Sequence, residues 1–161
     1  MALDLIAELE ALVDAFERES VQYAVCGGLA LALHGHPRAT MDIDVLVRPE
    51  GLARAAEVAL SLGFNVPARK MTFGLRSGTP RVIQRVSKLD PATNKLLSLD
   101  LLVVAPSLED VWTGRLMLSI GTRTMTVVSR DGLATMKRLA GRPQDLADLA
   151  ILEGINDDTE D

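Results

Sequence analysis

Two aspartates, Asp42 and Asp44, begin an apolar segment that continues to Val47. Residues two apart in a β-strand point to the same face, so this spacing would direct both carboxylates to one place. Two negative charges held so close repel each other unless a cation lies between them. The pair therefore indicates either a metal site or a solvent-exposed strand end, and taken alone it favours the exposed strand end.

A third aspartate, Asp100, interrupts the segment 96–104, whose other residues suit the interior of a sheet. A buried carboxylate is costly unless a partner compensates its charge. A neighbouring strand carrying Asp42 and Asp44 would bring three carboxylates to one edge of the sheet, and such a set suits Mg²⁺ or Mn²⁺. The alternative interpretation is a salt bridge from Asp100 to an arginine or a lysine.

Two adjacent glycines, Gly27 and Gly28, separate a short apolar strand from an apolar helical segment. Glycine lets backbone N–H groups approach an anion closely, and the positive end of the following helix attracts phosphate. A double glycine alone is only a turn signal, and it matches neither common glycine-rich nucleotide-binding pattern. Between the glycines and the aspartate pair, Arg38 and Thr40 could contact phosphate, or Thr40 could bond the backbone of the turn before the strand.

The hydrophobic pattern predicts the elements that would carry these residues. Apolar residues recur at helical spacing in 3–18 and 52–62, whereas 42–47 and 96–104 are typical of strands entering a core. Gly and Pro divide 64–87 into pieces that indicate strands joined by turns, with their register left open. Further strands are predicted at 23–26 and in a hairpin over 117–128, and further helices at 29–33, 108–112, 132–139 and 143–152.

The length of 161 residues is typical of one domain. We expect a single domain over 1–155, with a core in 1–104 and a C-terminal hairpin and helices in 105–155, before a disordered acidic tail at 156–161. No apolar run is long enough to span a bilayer. Asp4 and Glu8 lie where a secretory signal would be basic and then apolar, so we expect a cytoplasmic protein without membrane contact.

Charge and cysteine content restrict the class of protein and of site. A net charge of -5 argues against a protein that coats nucleic acid, because such proteins bind phosphates with a basic surface. The stretch 69–88 nevertheless carries six basic residues and no acidic one, which indicates either a solvated hairpin or a phosphate-facing rim. Cys26 is the only cysteine, so an intrachain disulfide or a cysteine zinc site is excluded.

The run from Gly27 to Asp44 resembles the signature of the nucleotidyltransferase superfamily, and most of all its AbiEii-like abortive-infection toxin branch. A later run, 137–148, is similar to the closing helical motif of that branch, so the resemblance spans most of residues 20–152. The resemblance implies an α/β (α+β) nucleotidyltransferase fold, with a mixed β-sheet flanked by helices and a short C-terminal helical segment.

The resemblance also implies transfer of a nucleoside monophosphate from a nucleoside triphosphate to a hydroxyl acceptor, with Mg²⁺ or Mn²⁺ as cofactor and loss of pyrophosphate. The first two aspartates would bind two metal ions, and Asp100 would bind one of them and take the proton from the attacking hydroxyl. The two glycines would hold the triphosphate, and Lys137 would neutralise its charge. The candidate catalytic and metal-binding residues are thus Asp42, Asp44 and Asp100, and the candidate nucleotide-binding residues are Gly27, Gly28, Arg38, Thr40 and Lys137.

The acceptor stays open between RNA such as tRNA, a partner protein and a small molecule. The chain after Pro106 is shorter than the helical C-terminal domain usual in the toxin branch, whereas its size matches the small antibiotic nucleotidyltransferases. A toxin–antitoxin role and antibiotic modification are therefore alternatives. A third alternative is a non-catalytic module that keeps the fold and binds a partner protein or RNA through the basic stretch 69–88 or the acidic tail.

Overall fold

The computed structural model describes residues 3–36, 40–68, 70–73, 81–120 and 122–158. Within these ranges the helices are α1 (Leu5–Arg18), α2 (Gly27–Leu33), α3 (Leu52–Ser61), α4 (Glu109–Thr113), α5 (Arg130–Ala140) and α6 (Pro143–Asp158). The strands are β1 (Ala24–Cys26), β2 (Asp42–Val47), β3 (Val66–Pro67), β4 (Met71–Phe73), β5 (Arg81–Asp90), β6 (Lys95–Val103), β7 (Leu116–Ile120) and β8 (Arg123–Val127).

These strands form one mixed sheet in the order β3-β5-β6-β2-β1-β8-β7, and β4 also pairs with β5. Strand β2 runs parallel to β6, and β1 runs parallel to β8, whereas the other neighbours are antiparallel. Helices α1 and α3 pack on the sheet and against each other, while α2 packs on β1 and β2 and contacts α5. The mixed sheet flanked by helices confirms the predicted α/β fold class.

Strands β2 and β6 divide their residues between two faces of the sheet. Ile43 and Val45 on β2, like Leu99 and Leu101 on β6, are at most 1% exposed and belong to the hydrophobic core. Because side chains alternate along a strand, the aspartates of β2 and Asp100 of β6 lie on the opposite face from these apolar residues. The same alternation that builds the core therefore places the carboxylates together outside it.

Helix α1 covers part of this core, and its sequence explains both its start and its orientation. The side chain of Asp4 accepts hydrogen bonds from the backbone N–H groups of Ile6 (2.9 Å) and Ala7 (3.3 Å), which would otherwise lack partners at a helix start. The helix buries Leu9, Leu12, Val13 and Phe16, which recur at intervals of three and four residues. The predicted amphipathic helix at 3–18 is confirmed.

A tight turn between α5 and α6 brings the two closing helices together. Gly141 ends α5 with a φ of 66°, a left-handed conformation that glycine adopts without strain. Pro143 then begins α6, as expected for a residue that fits the first helical turn.

Helix α6 continues to Asp158, past the predicted end at residue 152. Residues 156–158 of the predicted disordered tail are therefore helical, and 159–161 lie outside the described residues.

The stretch predicted as strands joined by turns contains β3, β4 and most of β5. Strands β3 and β4 each pair antiparallel with β5, and β5 pairs antiparallel along nearly the whole length of β6. This pairing sets Arg85 directly opposite Asp100. The register that the sequence left open therefore decides which basic residue meets the buried carboxylate.

No helix in the described part of the chain is long and apolar enough to cross a membrane.

Candidate functional site

The three predicted aspartates converge at one end of the parallel pair β2 and β6. Asp44 lies directly opposite Asp100, and Asp42, two residues earlier on the same strand, lies opposite Ser98. All three aspartates line one cavity of about 570 Å³. Asp100 is 8% exposed, so its charge is largely removed from solvent. The spacing of the first two aspartates and the apolar surroundings of the third therefore predicted their convergence correctly.

The environment of Asp44 disfavours its charged form. Burial, followed by the negative charges of Asp100 and Asp42, raises the pKa of Asp44 to about 7, and the cations Lys137 and Arg142 offset only part of this effect. With a pKa of about 7, Asp44 is only partly ionised at neutral pH, and a further nearby cation would favour its charged form. Carboxylate oxygens grouped on one face are the ligands that a hard divalent cation prefers, and Asp44 lacks a full balance of positive charge. The chemistry of these residues therefore fits such a cation.

Gly27 leaves the space that Asp44 occupies. Strand β1 ends at Cys26, which lies opposite Asp44 in the antiparallel pair of β1 and β2, and α2 begins at the next residue. Gly27 has a φ of 68°, and a Cβ atom there would overlap the Asp44 carboxylate. Gly27 and Gly28 both line the cavity. Position 27 thus requires glycine for two reasons, which are its backbone conformation and the close approach of the aspartate.

Asp100 has a cationic partner, Arg85 of β5. The Arg85 Nε atom donates to Asp100 Oδ1 at 2.7 Å, and Nη2 donates to Oδ2 at 3.0 Å. The structure thus contains the salt bridge that was the alternative to a metal at Asp100. In the described ranges, no three His, Cys, Asp or Glu side chains are arranged to hold a metal ion. The three carboxylates are brought together, but in this arrangement they do not form a ready set of ligands.

Lys137 of α5 is buried, with 6% of its surface exposed, and it pairs with two carboxylates of α6. Its Nζ atom lies 2.9 Å from Asp148 Oδ2 and 3.5 Å from Asp145 Oδ1. Arg142 also binds Asp145, with Nε 2.6 Å from Oδ2. Burial alone would raise the pKa of Asp145, but the hydrogen bonds and charge of Arg142, together with the charge of Lys137, lower it. Lys137 also lines the cavity, and its contact with a triphosphate stays a prediction.

The residues between the glycines and the aspartates are only partly described. Thr40 lines the cavity, and its hydroxyl donates to the backbone carbonyl of Asp42 at 3.5 Å. This contact is the backbone bond that was one of the two alternatives for Thr40. Arg38 lies outside the described residues, so its predicted contact with phosphate stays a prediction.

The basic stretch 69–88 contributes to the cavity through one end of β5. Arg81 and Arg85 line the cavity, whereas Lys88 binds Glu8 of α1, with 2.9 Å between Nζ and Oε2. Arg69 and the segment 74–80, which includes Arg76, lie outside the described residues. The stretch is thus neither wholly a solvated hairpin nor wholly a rim of the cavity. Its sequence signalled a basic surface, but the bond from Arg85 to Asp100 needed the strand register.

The remaining wall of the cavity is largely apolar and comes from both halves of the chain. It is built by Ile83 on β5, Leu102 and Val103 on β6, Leu108 before α4, and Leu133, Met136 and Leu139 on α5. The cavity therefore combines charged residues, including the aspartates, with hydrophobic residues that suit the nonpolar part of a ligand.

The comparisons with known proteins concern the fold. Neither a protein-family model nor a curated protein matches the chain. Among solved structures, the chain is similar to a proposed nucleotidyltransferase from Thermotoga maritima, with a TM-score of 0.66 and 15% identity over 94% of this chain and 92% of the other. It is also similar to ANT(2")-Ia in complex with adenylyl-2"-tobramycin, with a TM-score of 0.61 and 13% identity over 91% of this chain and 86% of the other. The chain therefore has the fold of nucleotidyltransferases, and the three aspartates line one cavity of this chain.

Proposed function

We propose that the protein is a metal-dependent nucleotidyltransferase, which transfers a nucleoside monophosphate from a nucleoside triphosphate to a hydroxyl acceptor and releases pyrophosphate. The observation that carries this proposal is the placement of Asp44 opposite Asp100 on parallel strands, with Asp42 on the same face of one cavity. The fold shared with a proposed nucleotidyltransferase and with ANT(2")-Ia supports the same class of reaction.

Asp42 and Asp44 would hold Mg²⁺ or Mn²⁺, and Asp100 would join them when one of its oxygens is free. Two such ions stabilise both the attacking and the leaving oxygen of an in-line displacement at phosphorus. The raised pKa of Asp44 supports this assignment, because a bound cation would supply the positive charge that the position lacks.

In the proposed reaction, the acceptor hydroxyl oxygen forms a bond to the α-phosphorus of the triphosphate. The bond from that phosphorus to the oxygen bridging the α- and β-phosphates breaks, and its electron pair leaves with pyrophosphate. Asp100 takes the hydroxyl proton. Gly27 and Gly28 allow the phosphates to approach the backbone closely, and Lys137 offsets part of their negative charge.

The charges around the cavity bear on the class of acceptor. Besides the three proposed metal ligands, Asp145 is the only carboxylate among the described lining residues, and it is buried and bound by Arg142 and Lys137. An amine-rich acceptor such as tobramycin would therefore find no free carboxylate there. Arg81 instead adds positive charge to the lining, whereas the charge of Arg85 is paired with Asp100. This distribution favours an RNA acceptor such as tRNA over an amine-rich antibiotic.

The direct test is transfer of label from α-³²P-labelled ATP, CTP, GTP or UTP in the presence of Mg²⁺. The acceptors offered are tRNA, the protein itself and tobramycin, and we expect label on RNA. Asp44→Asn and Asp100→Asn should each lower the rate by at least about 100-fold, because the carboxylates act as one unit. Asp110→Asn, an exposed carboxylate on α4, is the control and should keep the wild-type rate. Wild-type turnover in Asp44→Asn, or no transfer to any acceptor, would contradict the proposal.

A non-catalytic binding module is the second candidate, and one observation favours it. Asp100 already has both oxygens bonded to Arg85, so its burial needs no metal. Isothermal titration calorimetry separates the two candidates. An enzyme should bind a nucleoside triphosphate tightly only when Mg²⁺ is present. A binding module should instead bind its RNA or protein partner equally well with EDTA and with Mg²⁺.

A further inference from the structure

The bond between Arg85 and Asp100 occupies the carboxylate that the proposed reaction needs. Two N–H···O bonds of 2.7 and 3.0 Å join the guanidinium group to both carboxylate oxygens. Such bidentate pairs between charged groups are shorter and stronger than hydrogen bonds between neutral groups. An oxygen engaged in this way is poorly available to a cation, and the guanidinium charge itself repels a cation. This agrees with the absence of a ready metal-ligand set in the described part of the chain.

The two partners differ in how they face the cavity. The side chain of Asp100 is 12% exposed, whereas that of Arg85 is 38% exposed, and both line the cavity. The hydrogen bonds to Asp100, followed by the negative charges of Asp100, Asp42 and Asp44, raise the pKa of the Arg85 guanidinium group. Arg85 is thus a permanent cation that a ligand entering the cavity can reach. A phosphate group has the geometry to accept the same pair of N–H bonds.

We propose that Arg85 is a positioning residue that withholds Asp100 from cation binding while no nucleotide is bound. This inference rests on the proposed function, because it treats the three aspartates as ligands of one metal site. Arg85 would release Asp100 when phosphate oxygens compete for the guanidinium group. The complete set of carboxylates would then form only in the presence of the substrate that is to be attacked.

The test measures Mn²⁺ binding to the nucleotide-free protein by the loss of the free-ion signal in electron paramagnetic resonance. Arg85→Gln frees both oxygens of Asp100. We expect this variant to bind Mn²⁺ at least about tenfold more tightly than the wild type, because the substitution removes a competing charged hydrogen bond. Arg85→Lys keeps the charge but cannot bridge both oxygens, so its affinity should lie between the two. Circular dichroism and a thermal melt establish that each variant is folded.

Two further variants separate this role from a general effect of charge. Arg81→Gln removes a cation that lies four residues earlier on the same strand, lines the same cavity and makes no described bond to Asp100. This substitution should change the Mn²⁺ affinity by no more than about twofold, because salt screens the effect of a charge at longer range. The double variant Arg85→Gln with Asp100→Asn should lose the gain, because the gain requires the freed carboxylate.

Three results would overturn the inference. The first is a folded Arg85→Gln variant whose Mn²⁺ affinity equals that of the wild type. The second is an equal gain in Arg81→Gln, and the third is a gain that survives in the double variant. Because the readout needs neither nucleotide nor acceptor, it fails independently of the proposed function. A protein that shows the gain but transfers no label loses the proposed function and keeps this inference.

Discussion

Gly27 shows how one residue controls the geometry of the aspartate site. Its φ of 68° is unfavourable for any residue with a Cβ, and the space beside it is filled by the Asp44 carboxylate. The double glycine is therefore more than a turn signal between β1 and α2. It allows the end of β1 to lie against the acidic end of β2 without displacing the aspartate.

Gly27→Ala should lower the free energy of unfolding by about 1–3 kcal/mol, because it adds both backbone strain and an overlap with Asp44. It should also weaken Mn²⁺ binding, because the displaced carboxylate would leave the face it shares with Asp42. Urea unfolding and an Mn²⁺ titration measure the two effects. Gly51→Ala is the matched control, since its Cβ would meet nothing within 4 Å and its φ is not positive. Equal stability of the two variants would show that Gly27 tolerates a side chain.

Asp100 illustrates a limit of interpretation from single residues. A carboxylate in an apolar segment predicted a compensating partner, and both a metal and an arginine met that requirement. The residue type alone does not distinguish a metal ion from an arginine, because either one balances the negative charge of the carboxylate. The observed partner, Arg85, lies fifteen residues earlier in sequence and meets Asp100 only through strand pairing.

At the scale of elements, the α5–α6 turn determines what surrounds Lys137. Gly141 and Pro143 reverse the chain within a few residues and set Asp145 and Asp148 against the lysine. A buried lysine with two carboxylates is stable only as a group, because each charge loses its solvent. The group therefore links the two closing helices and holds Lys137 at the cavity wall.

The stability of this helix pair should depend on pH through Asp145. Its pKa is lowered in the folded protein relative to the ordinary value of 3.8, so its contribution is present above the unfolded pKa and is lost as the pH falls through the folded pKa. We expect urea unfolding to show a loss of stability below about pH 4. Asp145→Asn should lower stability by about 3 kcal/mol at pH 7 and lose this part of the pH dependence. Asp110→Asn, which is exposed, should keep the wild-type profile, and a profile unchanged in Asp145→Asn would contradict the expectation.

At the scale of the whole molecule, the cavity is formed by parts of the chain that are far apart in sequence. Its lining comes from β1, β2, β5 and β6 and also from α5 and the start of α6. A nucleotide bound there would contact both halves of the chain. Binding should therefore stabilise the molecule as one unit, since a ligand that binds only the folded state shifts the unfolding equilibrium.

We expect a nucleoside triphosphate with Mg²⁺ to raise the melting temperature by roughly 5–10 °C at about a hundred times the dissociation constant. The same nucleotide with EDTA should produce little change, because the aspartates would repel the triphosphate. Differential scanning fluorimetry with each of the four nucleotides provides the measurement. Asp44→Asn should abolish the Mg²⁺-dependent shift, whereas the exposed control Asp110→Asn should retain it. A shift of equal size with EDTA would contradict metal-dependent binding.

The sequence by itself determined the helices, the central strands and the carboxylates that share a face. These features follow from local spacing, because alternation along β2 and helical periodicity in α1 act within a few residues. Register and pairing depend on contacts between distant segments, so only the tertiary structure decided that Arg85 meets Asp100. It likewise decided that the carboxylates of α6 surround Lys137. The identity of a charged partner is a property of the packed chain, since any cation within reach satisfies a buried carboxylate and only folding determines which one arrives.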